Sequence, residues 1–538
     1  MRIGTAYYPE YHAEAEWDRD LARVREAGID CIRFAEFAWS QIEPEPGRFD
    51  TAWMERALSA CQRHGITAVI GTPTATPPVW LVEASPEIMP VDDSGRRTGF
   101  GFRQHRCYNA QAYRAASRRV VEHLAITFGK HPAVIGWQID NELGGEQKSC
   151  HCDLCRTAWH GWLAGRYAGI ADLNRRWGTA FWSHTYSAFS QIPVPVRSAM
   201  QLGLKHHPSL TLEWLRFSSD AITDFCQEHA ALLRRHVRPG AVITTNNDSF
   251  TWGENVDLRK LFSGLDVVGF DLYTQHAYEI AFYCDFMHDV LGKPFWFMEY
   301  DTSSPKLTGE LDAIAASGEC SRLFFFKFRP FPWGHEQGTR SLLNITGTPA
   351  PNHAVVAAWT KPARTLPTPI ARRVGLVYDF DSSWATFLTG WSGIPNDLTY
   401  PRGMIDPVYR TLHGLGERAR VVLRAADLHD LALVIAPWLV IHEQELEDAL
   451  LRHVHAGGTA LLTQDCFIKN RDNVYREQLS RLYTEALGCR DCALDHEPAG
   501  EHALIRDVAY GAGRIVMLSV KPDAAAWSFW LGRLLAKN

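Results

Sequence analysis

The sequence predicts an α/β protein: a (β/α)8 barrel over residues 1–360, a linker over 361–372, and a smaller open α/β domain, Rossmann-like or amidotransferase-like, over 373–538. Three observations carry this. From Met1 to about Ala350, short apolar runs alternate with longer stretches of helical period, the order expected of parallel strands joined by crossover helices. Several of those runs end in clusters of acid, amide and aromatic groups, as barrel strands do where chemistry gathers. Beyond a proline-punctuated segment the alternation resumes on a smaller scale, and 538 residues exceed what one ordinary core accommodates.

Eight candidate strands follow in order: Ile3 to Tyr8, Cys31 to Glu36, Thr67 to Thr72, Val134 to Ile139, Ala241 to Thr245, Val267 to Leu272, Phe295 to Glu299 and Leu323 to Phe328. Between them Glu16 to Ala27, Thr51 to His64 and Tyr113 to Phe128 repeat apolar residues at three and four spacing, as amphipathic helices require. Lys361-Pro362-Ala363-Arg364-Thr365-Leu366-Pro367-Thr368-Pro369 reads as the linker. After it come strand-like Val374 to Tyr378, Leu433 to Ala436 and Thr459 to Leu462, a helix from Glu443 to Val454, a hairpin about Gly511-Ala512-Gly513 and an apolar helix from Ala524 to Leu535. Gly457-Gly458 reads as a turn, and no dinucleotide or phosphate loop motif occurs, so this domain is read as lacking a second active site.

Composition narrows the function. A net charge of −6 argues against a nucleic-acid partner, because phosphate binding needs a basic surface. There is no apolar run long enough to span a membrane and no basic-then-apolar leader, so the expectation is a cytoplasmic protein without a membrane partner. The 19 Trp are many; most are expected in the core, with some available to stack on sugars.

The fourth strand runs Gly136-Trp137-Gln138-Ile139-Asp140-Asn141-Glu142, an apolar run ending in an acid, and the seventh ends in Met298-Glu299. Two glutamates at facing strand ends are what glycosidic hydrolysis needs: an acid for the leaving oxygen, and a carboxylate on the other side of the anomeric carbon. At a carboxyl separation of about 5–5.5 Å the mechanism is retaining. Glu299 is then the nucleophile, and Glu142 is kept protonated by the nearby negative charge until the covalent bond removes it.

These segments resemble glycoside hydrolase family 42, whose members are mostly β-galactosidases. Trp137-Gln138-Ile139-Asp140-Asn141-Glu142 is similar to the family's acid/base motif. Similar too are Tyr7-Tyr8-Pro9-Glu10, Arg33-Phe34-Ala35-Glu36-Phe37-Ala38-Trp39, Phe102-Arg103-Gln104-His105-Arg106-Cys107-Tyr108-Asn109 and Trp177-Gly178-Thr179-Ala180-Phe181-Trp182-Ser183. The domain after the linker resembles the family's trimerisation domain. The resemblance implies a retaining exo-acting β-galactosidase acting on oligosaccharides as a homotrimer. It implies Glu142 as acid/base and Glu299 as nucleophile, Arg103 and Asn141 holding the sugar, Trp182 and Tyr273 lining it, and Glu336 binding its hydroxyls. Two places depart from the pattern: Tyr300-Asp301 follows Glu299 where the family has Gln and a nearby Pro, and Gly338-Thr339 stands where a sugar-binding His is expected. A different sugar (β-mannoside, α-L-arabinopyranoside or β-galactofuranoside) and a non-catalytic sugar-binding protein are the alternatives.

Cys150-His151-Cys152-Asp153-Leu154-Cys155 places three thiols in one short run, and Cys107 precedes it. Closely spaced thiols suit tetrahedral zinc, and a four-thiolate site leaves no open position, so the metal is expected to be structural. The family resemblance implies the same four ligands. The alternatives are reduced, unliganded thiols, or His105 or His151 in place of one Cys. Cys489-Arg490-Asp491-Cys492 is a lone pair and weak evidence of a site.

Overall fold

The computed structural model describes residues 1–146, 149–196, 207–248, 255–361, 371–387, 404–489 and 503–536. Most of the expected linker and the second cysteine of the Cys489–Cys492 pair lie outside the described residues. Two compact units divide the chain. The first comprises Met1–Ala158, Ser218–Ile280 and Val290–Thr368; the second comprises Trp159–Phe217, Ala281–Asp289 and Pro369–Asn538.

In the first unit eight strands form one sheet: β1 (Arg2–Ala6), β2 (Cys31–Phe34), β3 (Thr67–Gly71), β4 (Val134–Gln138), β5 (Val242–Thr244), β6 (Gly269–Leu272), β7 (Phe295–Asp301) and β8 (Cys320–Phe326). Their order is β5-β4-β3-β2-β1-β8-β7-β6, and every pairing is parallel, so the sheet curls into a nearly closed (β/α)8 barrel. The helices fall where the periodicity put them, at Glu14–Glu26, Ala52–Arg63 and Gln111–Phe128. Gln111–Phe128 buries Tyr113, Ala116, Val120, Leu124 and Phe128, one face at three and four spacing. Cys31, Val69, Trp296, Met298 and Phe324, from four different strands, pack into one buried cluster. Gly71 leaves room for a charged neighbour: a Cβ there would stand 2.5 Å from the Cβ of Glu36.

Several strands end earlier than their extended sequence suggests. β1 stops at Ala6 and not Tyr8, and β2 at Phe34 and not Glu36. The reason is visible at Ala35, where φ is 80° and the chain leaves the ladder. β7 goes the other way, pairing on to Asp301.

The second unit holds a six-stranded sheet of β9 (Val374–Val377), β10 (Ala419–Val422), β11 (Leu433–Ala436), β12 (Thr459–Thr463), β13 (Leu504–Tyr510) and β14 (Gly513–Leu518), in the order β10-β9-β11-β12-β14-β13. It is parallel except for the expected β13–β14 hairpin. Edge strand β10 is the one strand of this sheet that the sequence did not announce. The helix Ala524–Leu535 is as expected, opened by the Asp523 carboxylate accepting from the Ala526 N–H.

Two segments that the sequence assigns to the barrel, Trp159–Phe217 and Ala281–Asp289, belong to this second unit, and charge explains it. Buried Asp285 pairs with Arg418 and accepts from the Tyr409 hydroxyl, while Asp289 pairs with Arg372 at 2.8 Å and accepts from the Val421 N–H at 2.7 Å. Arg216 binds Asp381 at 2.6 Å, and Arg176 binds Asp472 at 2.8 Å. Buried ions of this kind are costly unless paired, so each pair fixes its segment to its partner. Among the described residues no helix is long and apolar enough to cross a membrane.

Candidate active site

The carboxyl ends of the barrel strands converge on a buried cluster of acids. Glu142 follows β4, Asp271 lies in β6 and Glu299 in β7; one oxygen of each lies within 4.8 Å of the others. Asp271 and Glu299 are register partners across neighbouring strands, which is why both reach the same space.

Both oxygens of Glu299 are held. Arg33 of β2 donates to Oε1 at 2.7 Å and the Tyr273 hydroxyl donates to Oε2 at 2.5 Å. Arg33 is wholly buried and also engages Gln138 at 2.8 Å and Glu36 at 3.1 Å, so its fork is fixed before any ligand arrives. Tyr273 is raised well above its usual range by burial and then by Glu299, so it stays a donor.

Glu142 sits differently. Its backbone is left-handed, with φ 48°, two residues after Asp140 at φ 57°; non-glycine residues there are strained and need support. Support comes from neighbours: Arg106 pairs with Asp140 at 2.6 Å, the Thr74 hydroxyl donates to it at 2.7 Å, and Asn246 accepts from the Glu142 N–H at 2.9 Å. The Glu142 carboxylate receives Arg103 at 2.8 Å and the Asn141 amide at 3.2 Å. Burial nevertheless holds its carboxyl well above the usual range, with Asp248, Glu299 and Glu146 adding to the effect and Arg103 opposing it. Arg103 also binds Glu146, at 2.6 Å. Asp248 is pushed up to about 7, by burial first and Glu299 second.

The structure thus brings Glu142, Glu299, Arg103, Asn141 and Tyr273 together. Glu336 stands in the loop after β8 beside Lys327, whose Nζ is 3.6 Å from its carboxylate and donates to Thr339 Oγ1 at 2.7 Å. Lys327 lies over the Phe331 ring at 3.3 Å, and burial lowers it to about 8. Trp182 is placed in the second unit, 74 % exposed and stacked on Phe181. Sequence reasoning missed Asn246 and Asp248 and gave Asp271 and Arg33 no role. The signal for the first two is the polar run Asn246-Asn247-Asp248 directly after β5.

The four cysteines also assemble. The sulfurs of Cys107, Cys150, Cys152 and Cys155 lie within 4.8 Å of one another, with Cys107 3.6 Å from Cys152 and 3.3 Å from Cys155. Tetrahedral zinc with Zn–S bonds of about 2.3 Å separates its sulfurs by about 3.8 Å, so the set fits. The Val91 N–H points at Cys150 Sγ (3.5 Å) and the Asn109 amide at Cys155 Sγ (3.3 Å), contacts that favour thiolates. The rings of His105 and His151 are instead engaged by the Pro77 carbonyl and the Ser149 hydroxyl.

Chemically, two buried glutamates this close, one held at both oxygens by Arg33 and Tyr273 and one biased toward its acid form, can serve as nucleophile and proton donor at one bond. Comparison with known proteins points the same way. Residues 6–351 match the family described as β-galactosidase, and residues 372–490 match the β-galactosidase trimerisation domain. The chain is 34 % identical over 511 residues to a β-galactosidase of Halorubrum lacusprofundi, covering 88 % of this chain and 71 % of that one. It is 33 % identical over 486 residues to a β-galactosidase of Thermus thermophilus, covering 83 % and 73 %. The solved structure of a β-galactosidase from Halorubrum lacusprofundi superposes with a TM-score of 0.89 at 29 % identity, over 100 % of this chain and 89 % of that one.

Proposed function

The chain belongs to the β-galactosidases of glycoside hydrolase family 42, and on that premise we propose that it is a retaining exo-acting β-galactosidase, removing terminal non-reducing β-D-galactose from oligosaccharides by double displacement. The observation that carries the reading is the pair of buried glutamates with oxygens within 4.8 Å. An inverting pair stands about 6.5–9.5 Å apart to admit a water between sugar and base.

In this reading Glu299 attacks the anomeric carbon while Glu142 gives its proton to the leaving oxygen. Glu142, now a carboxylate, then takes a proton from water, which attacks the same carbon and frees the sugar. Arg33 and Tyr273 orient Glu299, which is bonded to both. Asn141 and Arg103 are sugar contacts beside Glu142; Glu336 and Tyr273 complete the proposed sugar set within the first unit. A second version, with the same mechanism on another glycoside, is favoured by Thr339, which is occupied with Lys327 where the family has a sugar-binding histidine. A panel of nitrophenyl glycosides decides. The β-D-galactopyranoside is expected to be hydrolysed at least tenfold faster than the mannoside, arabinopyranoside or galactofuranoside. Release from one of those with none from the galactopyranoside would transfer the assignment to that sugar.

Cys107, Cys150, Cys152 and Cys155 are assigned as ligands of one structural zinc. When bound, the ion supplies four bonds that tie the loop after β3 to the loop after β4. Metal analysis is expected to give about one zinc per chain. Cys150→Ser and Cys155→Ser are expected to lose it and to lower the melting temperature by roughly 5–10 °C. Unchanged melting in both variants would remove the assignment. Residues 372–490 are assigned to homotrimer formation, supported by the trimerisation-domain match. A cytoplasmic location fits the described cysteines, none of which is in a disulfide.

A further inference from the structure

Asp271 has no part in the double displacement as written, yet it occupies the middle of the acid cluster. Its side chain is completely buried. Oδ2 accepts from Asn246 Nδ2 at 2.7 Å. The same Nδ2 donates to Asn141 Oδ1 at 3.0 Å, and the Asn246 oxygen accepts from the Glu142 N–H at 2.9 Å. An amide has one donor end and one acceptor end, and a carboxyl oxygen at the donor end decides which way it faces. Turned over, Asn246 would present N–H groups to the Glu142 N–H, and the left-handed backbone at Glu142 would lose its support.

The second oxygen, Oδ1, is buried and has no hydrogen-bond partner. The charged groups facing Asp271 are Arg33 from β2, Glu142 after β4, Asp248 after β5 and Glu299 on β7. Arg33 is already committed to Glu299 and Glu36. Three carboxylates within 4.8 Å cannot all be ionised, and a buried oxygen without a donor is where a proton costs least.

We propose that Asp271 is a positioning residue for the acid/base loop: a neutral carboxylic acid, protonated on Oδ1, whose Oδ2 locks the Asn246 amide and through it the backbone of Glu142 and the side chain of Asn141. This rests on Glu142 being the acid/base, which Glu142→Gln tests separately. Burial and the neighbouring glutamates hold the Asp271 carboxyl well above its ordinary range, in keeping with the neutral form.

The experiment compares Asp271→Asn, Asp271→Ala and Asn246→Ala on two glycosides of the sugar that the wild type accepts, one with a dinitrophenyl leaving group and one with an alkyl leaving group. A dinitrophenolate departs without an acid; an alkoxide does not. Asp271→Ala is expected to lower kcat/KM, which reports the first step, by roughly 100-fold on the alkyl glycoside, the cost of a misplaced catalytic group, and by under tenfold on the dinitrophenyl glycoside. Asp271→Asn, which keeps a neutral acceptor for Asn246, is expected to stay within about tenfold on both, with the alkaline limb of its pH profile unmoved. Asn246→Ala is expected to reproduce the leaving-group dependence and, combined with Asp271→Ala, to add little. Equal losses of kcat/KM on the two glycosides, or none, would overturn the proposal. So would an alkaline limb moved down by about a unit or more in Asp271→Asn, since removing a real negative charge lowers the pKa of Glu142. Should Asp271→Ala fail to fold, Asn246→Ala and Asp271→Asn decide by the same readouts.

Discussion

Glu299→Gln is expected to lower kcat by roughly 10⁴-fold or more while leaving the melting temperature within a few degrees of the wild type. The substitution preserves shape, and the surroundings accept it: the amide oxygen can face the Arg33 guanidinium at the site of Oε1, and the amide nitrogen can donate to the Tyr273 hydroxyl in place of Oε2. Only the nucleophile is lost. A 2-fluoro glycoside with a good leaving group is expected to inactivate the wild type and to label the peptide carrying Glu299, and to leave the variant unlabelled. Turnover within tenfold of the wild type, or a label on Glu142, would rule out the assignment.

For Glu142→Gln the loss depends on the substrate. On disaccharides and alkyl glycosides kcat/KM is expected to fall about 10³-fold, within the range of a general acid, whereas on a dinitrophenyl glycoside the first step survives and a covalent intermediate accumulates. The pH profile gives an independent check. Glu142 must be protonated for the first step, and burial raises its folded-state pKa, so activity persists through neutral pH and is lost as pH rises through that value. That alkaline limb is expected to vanish in Glu142→Gln. Arg103 opposes the effect of burial on Glu142, so Arg103→Ala is expected to move the limb upward. An unshifted alkaline limb in Glu142→Gln would mean that another group titrates.

How much of this was readable in the chain follows from how each residue is announced. Glu142 and Glu299 end long apolar runs, and a polar residue closing a buried parallel strand is conspicuous by its position. Tyr273, immediately after β6, shares that advantage, whereas Arg33 lies inside β2 and does not. Asn246 does not, because β5 has only three paired residues, Val242–Thr244, too few to mark a strand with a definite end. Asp271 was visible as a residue, but its role depends on a three-residue relay through Asn246 to Glu142 that no spacing encodes. The four-cysteine cluster was legible because three members are adjacent in sequence; Cys107 joins them only because the loop after β3 folds back. Edge strand β10 escaped because Arg420 interrupts a run of only four residues. The division into units escaped for another reason: Arg216, Asp285 and Asp289 read as ordinary charges in helices, and their partners lie far along the chain.

Those pairings set a timetable for synthesis. A ribosome delivers the chain from its N-terminus, so Arg216, Asp285 and Asp289 emerge well before Asp381, Arg372 and Arg418, which neutralise them. Until then Arg216 has Glu213 beside it but not Asp381, Asp285 and Asp289 lack the arginines they pair with in the folded chain, and the second unit stays open however complete the eight strands are. Its closure waits for the last third of the chain, so a nascent chain halted after β8 holds both glutamates of the proposed reaction but lacks the partners that pair with two of its own helices.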